Sequence, residues 1–109
     1  MNDTNYIGAI VKILEHPKNK TITNKISITK FRAQLSQPRK TQKTRVIDII
    51  VWGNLANNVA TSYSINDYIL VEGYLSLKKV TSSKSKILKR ARFTILKAYP
   101  FVLNPKLGN

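Results

Sequence analysis

Basic side chains are the chemically active groups that this sequence supplies in quantity. Nineteen lysines and arginines stand against five aspartates and glutamates, which gives a formal net charge of +14 at pH 7. An excess of this size favours a polyanionic partner, with nucleic acid first and an anionic membrane surface second. Charge alone leaves two alternatives open: a basic surface that is only solvated, and a ribosome-associated protein whose charge neutralises RNA.

Two stretches of the chain concentrate basic residues and contain no acid. Residues 37–44 (QPRKTQKT) are typical of a hairpin tip, and residues 78–86 (KKVTSSKSK) of a second loop of the same kind. Single-stranded nucleic acid is held by a basic groove along its backbone and by aromatic rings that stack on its bases. The two tips would form such a groove if they flanked one face of the fold. The candidate phosphate contacts are Arg39, Lys40, Lys43, Arg45, Lys78, Lys79, Lys84 and Lys86 in or beside the tips, and Lys30, Arg32, Arg90 and Arg92 in the strands.

Trp52 is the aromatic residue best suited to stack on a base. It ends an apolar stretch, residues 46–52, in which strand alternation places it on the face of Asp48 and opposite Ile49. A tryptophan in an apolar strand is more often buried than exposed. Burying Asp48 on the same side would be costly, however, and this favours an exposed Trp52. Weaker stacking candidates are Tyr6, Tyr74 and Phe31, whereas Tyr63 and Phe93 are assigned to the core.

Catalytic and metal-binding chemistry finds little support in the sequence. The single histidine, His16, precedes Pro17 at a predicted strand end, without a serine, cysteine or carboxylate pair arranged around it. The five acids are scattered, with no spacing suited to general acid–base catalysis or to a hard metal ion. The chain has no cysteine and no glycine-rich phosphate loop. We therefore expect a binding protein, not an enzyme, with no cofactor, metal or small-molecule substrate.

The elements that must position these groups are five strands and one helix. Residues 46–52 form a strand that ends at Gly53, and Leu55, Val59 and Tyr63 then recur at helical spacing. A further strand begins at residue 67, with a bulge or sharp bend expected at Gly73. The other strands are predicted over residues 5–16, 25–36 and 87–99, and residues 18–24 are predicted to be a polar turn.

The strand over residues 25–36 is irregular. Ile26 and Ile28 share one parity, whereas Phe31 and Leu35 share the other, which predicts a β-bulge near Thr29 and Lys30. A helix between the third and fourth strands is the order of the oligonucleotide/oligosaccharide-binding (OB) fold. The predicted class is therefore all-β, a five-stranded antiparallel OB-fold barrel with one short helix between strands 3 and 4.

The length of 109 residues predicts a single domain, with a core over about 5–97 and a short tail over 98–109. No apolar run approaches the length needed to cross a bilayer, and the first residues lack the features of a secretory signal. We expect the protein to act in the compartment where it is made, without a membrane partner.

The sequence resembles the bacterial and organellar single-stranded DNA-binding protein (SSB) family. Over residues 46–63, VIDIIVWGNLANNVATSY is similar to the family's strand, Phe-Gly-Lys-Leu-Ala turn and helix. YILVEGYLSLKKV, residues 68–80, is similar to its strand around a Glu-Gly pair, and NYIGAIVKILEHP, residues 5–17, to its first strand. The chain also resembles the small SSB-like proteins encoded in algal plastid genomes.

The resemblance implies an OB barrel that assembles into homotetramers or dimers. It also implies sequence-independent binding of single-stranded DNA during replication, recombination or repair. The compartment that it implies is the plastid if the chain is plastid-encoded, and otherwise a bacterial-type cytoplasm.

The sequence departs from the family pattern at the stacking positions. The positions that match the family's stacking aromatics are Pro38, Val46, Trp52 and Val80, so only Trp52 keeps a ring, and Asn54 replaces the lysine expected after the turn glycine. The sequence ends NPKLGN, without the family's acidic apolar tip. Each lost stack would cost roughly 1–3 kcal/mol, which would leave binding more dependent on electrostatics. An SSB-like accessory or primosomal interaction module and an RNA-binding OB protein stay open as alternatives.

Overall fold

The computed structural model describes residues 5–22, 25–35, 45–81 and 87–101. Within these ranges the chain forms six strands and one helix. In chain order they are β1 (Asn5–Ile13), β2 (Lys18–Ile22), β3 (Ile26–Leu35), β4 (Arg45–Trp52), α1 (Asn54–Ser62), β5 (Tyr68–Thr81) and β6 (Ile87–Pro100). The model contains no helix, among the residues it describes, that is long and apolar enough to span a bilayer.

All six strands belong to one sheet in the order β1-β5-β6-β4-β3-β2, and β1 also pairs with β3. The sheet therefore closes into a ring of five strands, and β2 extends it beyond β3. The β4–β6 pair is parallel, whereas the other pairs are antiparallel. The five ring strands correspond to the five predicted strands, with α1 between the third and the fourth. The predicted OB order is confirmed, with one parallel pair and a sixth strand added.

The sixth strand, β2, occupies part of the segment that was predicted to be a turn. It pairs with β3 from Lys18 opposite Lys30 to Ile22 opposite Ile26. Polar composition favours a turn here, but the edge of β3 offers unpaired main-chain groups, and an extended segment satisfies them. The turn prediction is wrong over residues 18–22.

The apolar residues of β3 change parity between Ile28 and Phe31, and this change comes from a buried polar residue and not from a bulge. The β3–β4 register is continuous from Ile28 opposite Trp52 to Leu35 opposite Arg45. Thr29 faces the interior and is completely buried. Ile28, which has the opposite parity, lies on the outer face. The predicted bulge near Thr29 and Lys30 is therefore wrong, because a threonine takes a position that an apolar residue would normally hold.

The predicted irregularity at Gly73 is confirmed. The β5–β6 register shifts between Glu72 and Gly73. A Cβ atom at Gly73 would overlap the main-chain oxygen of Thr94, so the backbones approach too closely for any side chain. β5 continues to Thr81, where a loop was predicted from residue 78. Lys78 and Lys79 are thus strand residues, paired in register with Arg90 and Lys89.

The core fills the ring and is closed by one face of α1. Ala56 and Val59 of the helix are buried, and Leu55 and Tyr63 pack at its margin. The strand residues of the core are Val11, Ile13, Phe31, Ala33, Ile47, Ile49, Val51, Ile69, Val71, Phe93 and Ile95. The assignment of Phe93 is confirmed, whereas Phe31 is only 3% exposed and is wrong as a stacking candidate.

Candidate nucleic-acid interface

The two faces of β4 differ sharply in burial. Ile49 and Val51 point into the core, whereas Trp52 is 49% exposed on the opposite face. Asp48 shares that outer face, and its carboxylate lies 3.6 Å from the guanidinium of Arg90. The parity argument therefore placed Trp52 correctly. Gly53 follows Trp52 directly and has a φ of 74°, in the left-handed region that glycine adopts readily. It turns the chain from β4 into α1.

Neighbouring strands add cations to the outer face of β4. Directly paired residues share a face, so the register identifies the neighbours of Trp52. Ile28 of β3 lies opposite Trp52, and Lys20 of β2 lies opposite Ile28. The next row contains Lys18, Lys30, Ile50 and Thr94, and the row after it contains Arg32, Asp48 and Arg92. We call this surface of β2, β3, β4 and β6 the basic face.

Two acids hold two of the arginines on the basic face. Glu15 accepts a 2.9 Å hydrogen bond from the main-chain nitrogen of Arg32, and its other oxygen lies 3.4 Å from the Arg32 guanidinium. Asp48 pairs with Arg90 at 3.6 Å. These pairs are partly exposed, so each contributes little to stability. Within the described residues Lys30 forms no such pair, and its ammonium stays available to an anion.

Two open grooves follow the basic face. One has a volume of about 310 Å³ and lies between β3, β4 and β6, where Lys30, Arg32, Asp48 and Arg92 line it over Ile50. The second has a volume of about 630 Å³ and follows the β2–β3 pair. Its lining residues are Glu15, Lys18, Asn19, Lys20, Thr21, Ile22, Ile28 and Lys30. Among the described residues no three acids or histidines come close enough together to hold a metal ion.

Comparison with known proteins identifies the family. The model of the Single-strand binding protein family matches residues 1–97. The chain belongs to this family. It is 38% identical over 103 residues to the "Putative single-stranded DNA-binding protein ycf41" of Trieres chinensis, a match that covers 92% of this chain and 91% of the relative. It is 26% identical over 74 residues to the "Thylakoid-associated single-stranded DNA-binding protein slr1034" of Synechocystis, covering 68% of this chain and 57% of that protein.

Solved structures of the family share the fold. The small single-stranded DNA-binding protein of Streptomyces coelicolor superposes with a TM-score of 0.82 at 15% identity, covering 93% of this chain and 97% of that one. The SSB domain of a Synechococcus protein superposes with a TM-score of 0.68 at 15% identity, covering 91% and 98%. The second SSB of Mycobacterium smegmatis gives 0.67 at 20% identity, covering 90% and 89%.

The SSB fold brings five of the predicted site residues together. Trp52, Lys30, Arg32 and Arg92 lie on the basic face, and Arg90 joins them through Asp48. Arg45 lies at the start of β4, and Lys78 and Lys79 lie in the distal half of β5. Five further predicted contacts lie outside the described residues: Arg39, Lys40, Lys43, Lys84 and Lys86. The stacking position Pro38 also lies outside them.

Two features of the basic face were missed from sequence. Lys18 and Lys20 were assigned to a turn, although their alternate spacing after Pro17 is a strand signal that could have revealed them. The pairing of Arg32 with Glu15 joins residues 17 apart and has no sequence signature. The weaker stacking candidates Tyr6 and Tyr74 lie outside the basic face, on β1 and β5, with ring centroids 5.3 Å apart.

Proposed function

We propose that this SSB-family protein binds single-stranded DNA without sequence preference across the basic face. The observation that carries the proposal is the half-exposed Trp52, placed one row from Lys30 on a surface lined by cations. Every base has a π face, so an exposed ring can stack any of them, while lysines follow the phosphates. Relatives with this fold are named for single-stranded DNA binding, which supports the same role here.

Phosphate binding by the arginines would proceed by exchange of anions. In the free protein Arg32 and Arg90 hold Glu15 and Asp48, each at the long end of the ion-pair range. A phosphate can replace such a carboxylate and accept two parallel hydrogen bonds from one guanidinium. Lys30 needs no exchange and would make the first contact. The basic residues of 37–44 and 78–86 would extend this path.

The proposed role is binding and not catalysis, and the processes served would be replication, recombination or repair. The family whose model matches residues 1–97 is named for binding single strands, which supports this role. For the compartment we propose the plastid if the chain is plastid-encoded, and a bacterial-type cytoplasm otherwise. The relative from Synechocystis is named as thylakoid-associated, which fits a photosynthetic lineage.

A second surface supports assembly into a homo-oligomer, a dimer or tetramer. On β1, β5 and β6 the register aligns Ile10 with Leu70 and Leu70 with Tyr99, beside the Tyr6–Tyr74 pair. Tyr6, Tyr74 and Tyr99 are each exposed by 39% or more. Desolvation and the neighbouring Glu72 carboxylate raise the pKa of Tyr6, whose hydroxyl donates a 3.4 Å hydrogen bond to Glu72. Exposed aromatic side chains grouped on one side of a sheet are typical of an interface, and the paired Glu72 and Lys97 lie between Tyr74 and Tyr99.

Light scattering tests the oligomer. We expect a mass above that of one chain, and Tyr99→Lys should lower it because a charge would enter the interface. Leu77→Lys, at a more exposed position outside this surface, is the matched control and should keep the mass. A monomeric parent protein would remove this part of the proposal.

The DNA-binding proposal is tested by fluorescence anisotropy with oligo-dT, duplex DNA of equal length and the matching RNA, each at low and near-physiological salt. We expect oligo-dT to bind more tightly than duplex and to keep part of its affinity at the higher salt, because salt weakens the phosphate contacts, which release counterions, and not the stacking contacts. If oligo-dT and duplex DNA bind with equal affinity, and this binding is lost as salt rises, the protein makes only nonspecific electrostatic contacts. The alternative of an interaction module would then be favoured. Preference for RNA would indicate contacts to the 2′-hydroxyl.

A further inference from the structure

The β2–β3 pair carries an apolar surface that the proposed stacking on Trp52 does not use. Ile22 and Ile26 lie opposite each other on these strands and are 40% and 47% exposed. Ile28, two residues along β3, has the same parity but is only 4% exposed, and Lys20 and Trp52 lie on either side of it. We call Ile22, Ile26 and Ile28 the isoleucine surface.

The surroundings of the isoleucine surface are cationic. The groove of about 630 Å³ that Ile22 and Ile28 line is also lined by Lys18, Lys20 and Lys30. Glu15 is its one acidic lining residue, and both of its carboxylate oxygens are already engaged by Arg32. An apolar floor with a rim of lysines matches a nucleotide, whose base is apolar on its faces and whose phosphate is an anion.

The isoleucine surface is held in place by two linked hydrogen bonds that meet at the buried hydroxyl of Thr29. Asn19 of β2 donates a 2.9 Å hydrogen bond to the hydroxyl of Thr29, and that hydroxyl donates to the main-chain oxygen of Ala56 at 2.8 Å. β2 is thereby fixed to β3 and to α1. Strands lie about 5 Å apart, so Lys20 is roughly 10 Å from Trp52 across Ile28. A short stretch of one nucleic-acid strand can span this distance.

We propose that the isoleucine surface is a second base-binding site, which takes a base close to the one stacked on Trp52, while Lys18 and Lys20 hold the phosphates beside it. The proposal rests on single-stranded DNA binding as the function. It gives the bound DNA a path from Trp52 across Ile28 and onto β2. Aliphatic side chains would then make part of the base contact that aromatic residues make in the SSB family pattern.

The test compares oligo-dT with an abasic strand of equal length, about 16 nucleotides, the upper site size of single OB folds. Trp52 is the only tryptophan of the chain, so its fluorescence reports binding in every variant. Ile22→Thr/Ile26→Thr keeps β-branched residues at exposed positions. We expect it to weaken oligo-dT binding about tenfold, at the low end of the stacking range, and to leave abasic binding within about twofold.

Two controls accompany this variant. Ile65→Thr makes the same change at a residue that is 49% exposed in the turn after α1, and it should bind both strands as the parent does. Lys18→Gln/Lys20→Gln should weaken the binding of both strands, because phosphates are present in each. Circular dichroism of the unfolding transition confirms that the variants are folded.

Several results would overturn the second site. They are unchanged oligo-dT binding by Ile22→Thr/Ile26→Thr, an equal loss on both strands, and a change in oligomer mass in place of DNA affinity. The last would identify the surface as a contact between copies of the chain. Failure of the proposed function itself has a different signature, since the parent protein would then bind oligo-dT no better than duplex.

Discussion

The hydroxyl of Thr29 in β3 donates a 2.8 Å hydrogen bond to the main-chain oxygen of Ala56 in α1, 27 residues along the chain. The same hydroxyl accepts a hydrogen bond from Asn19 of β2. One fully buried polar atom therefore joins three elements of the SSB fold. Because the Thr29 hydroxyl both donates and accepts a hydrogen bond, a threonine is tolerated in the core, and the isoleucines of opposite parity in β3 lie on the outer side of the sheet.

Replacing Thr29 with valine keeps the shape of the side chain and removes these hydrogen bonds. We expect Thr29→Val to lower the free energy of unfolding by about 1–2 kcal/mol, because two hydrogen bonds are lost and polar groups lose their partner. Urea unfolding followed by circular dichroism measures the change. Thr21→Val, at an exposed position of β2, is the matched control and should stay within about 0.5 kcal/mol of the parent. Equal stability of Thr29→Val and the parent would contradict the role of the bond.

Removal of the ring of Trp52 should affect binding more than stability. Trp52→Ala is expected to weaken oligo-dT binding by roughly 5- to 150-fold, the range that one base–aromatic stack spans. The fold should persist, since half of the side chain is already exposed. Trp52→Phe keeps an aromatic face and should retain most of the affinity. An unfolded Trp52→Ala protein would show that the residue is needed for packing, and anisotropy together with urea unfolding separates the two outcomes.

In the proposed exchange of anions Asp48 competes with phosphate for Arg90, so neutralising Asp48 should strengthen DNA binding. Asp48→Asn removes the carboxylate 3.6 Å from the Arg90 guanidinium. We expect a roughly two- to fivefold gain in oligo-dT affinity, the range of an exposed ion pair, and a salt slope steeper by about 0.7 if one more phosphate is bound. Asp67→Asn removes an acid outside the basic face and outside the proposed oligomer interface, keeps an oxygen that can accept the hydrogen bond from Ser64, and is the control. A gain of the same size in both variants would point to net charge alone.

Gly73 should tolerate no side chain. Gly73→Ala is expected to destabilise the protein by about 2 kcal/mol or more, because its Cβ would overlap the main-chain oxygen of Thr94, which cannot move without breaking the sheet. Gly8→Ala offers a contrast in β1, where the added Cβ would meet its nearest atom at 3.6 Å, an ordinary contact. Thermal unfolding of the two variants should rank them clearly, and similar midpoints would show that the β5–β6 bulge is adaptable.

The acid-free stretch at residues 37–44 yields a prediction from charge alone. Reversal of Arg39 and Lys40 to glutamate should lower both the affinity for oligo-dT and the slope of its dependence on salt, because fewer counterions are released. Titrations at three or more salt concentrations measure the slope. An unchanged slope would exclude this stretch from the binding path.

The sequence predicted the elements whose signals are local. The apolar run before Trp52, the stop at Gly53 and the helical spacing of Leu55 and Val59 each lie within a few residues, and they identified β4 and α1. The exposure of Trp52 followed from the cost of burying Asp48 on the same face. The resemblance of residues 46–80 to the SSB pattern was likewise sufficient to predict the family, which the match over residues 1–97 shows.

Only the tertiary structure decided the features that depend on distant partners. A polar segment became β2 because β3 presents an edge to it, and Thr29 entered the core because Ala56 offers an acceptor there. The same pairings turned Ile26 and Ile28 outward and added Lys18 and Lys20 to the basic face. The local sequence determines the alternation of a strand. Whether a polar residue in it can be buried depends on a hydrogen-bond partner elsewhere in the chain, and only the fold brings that partner into reach.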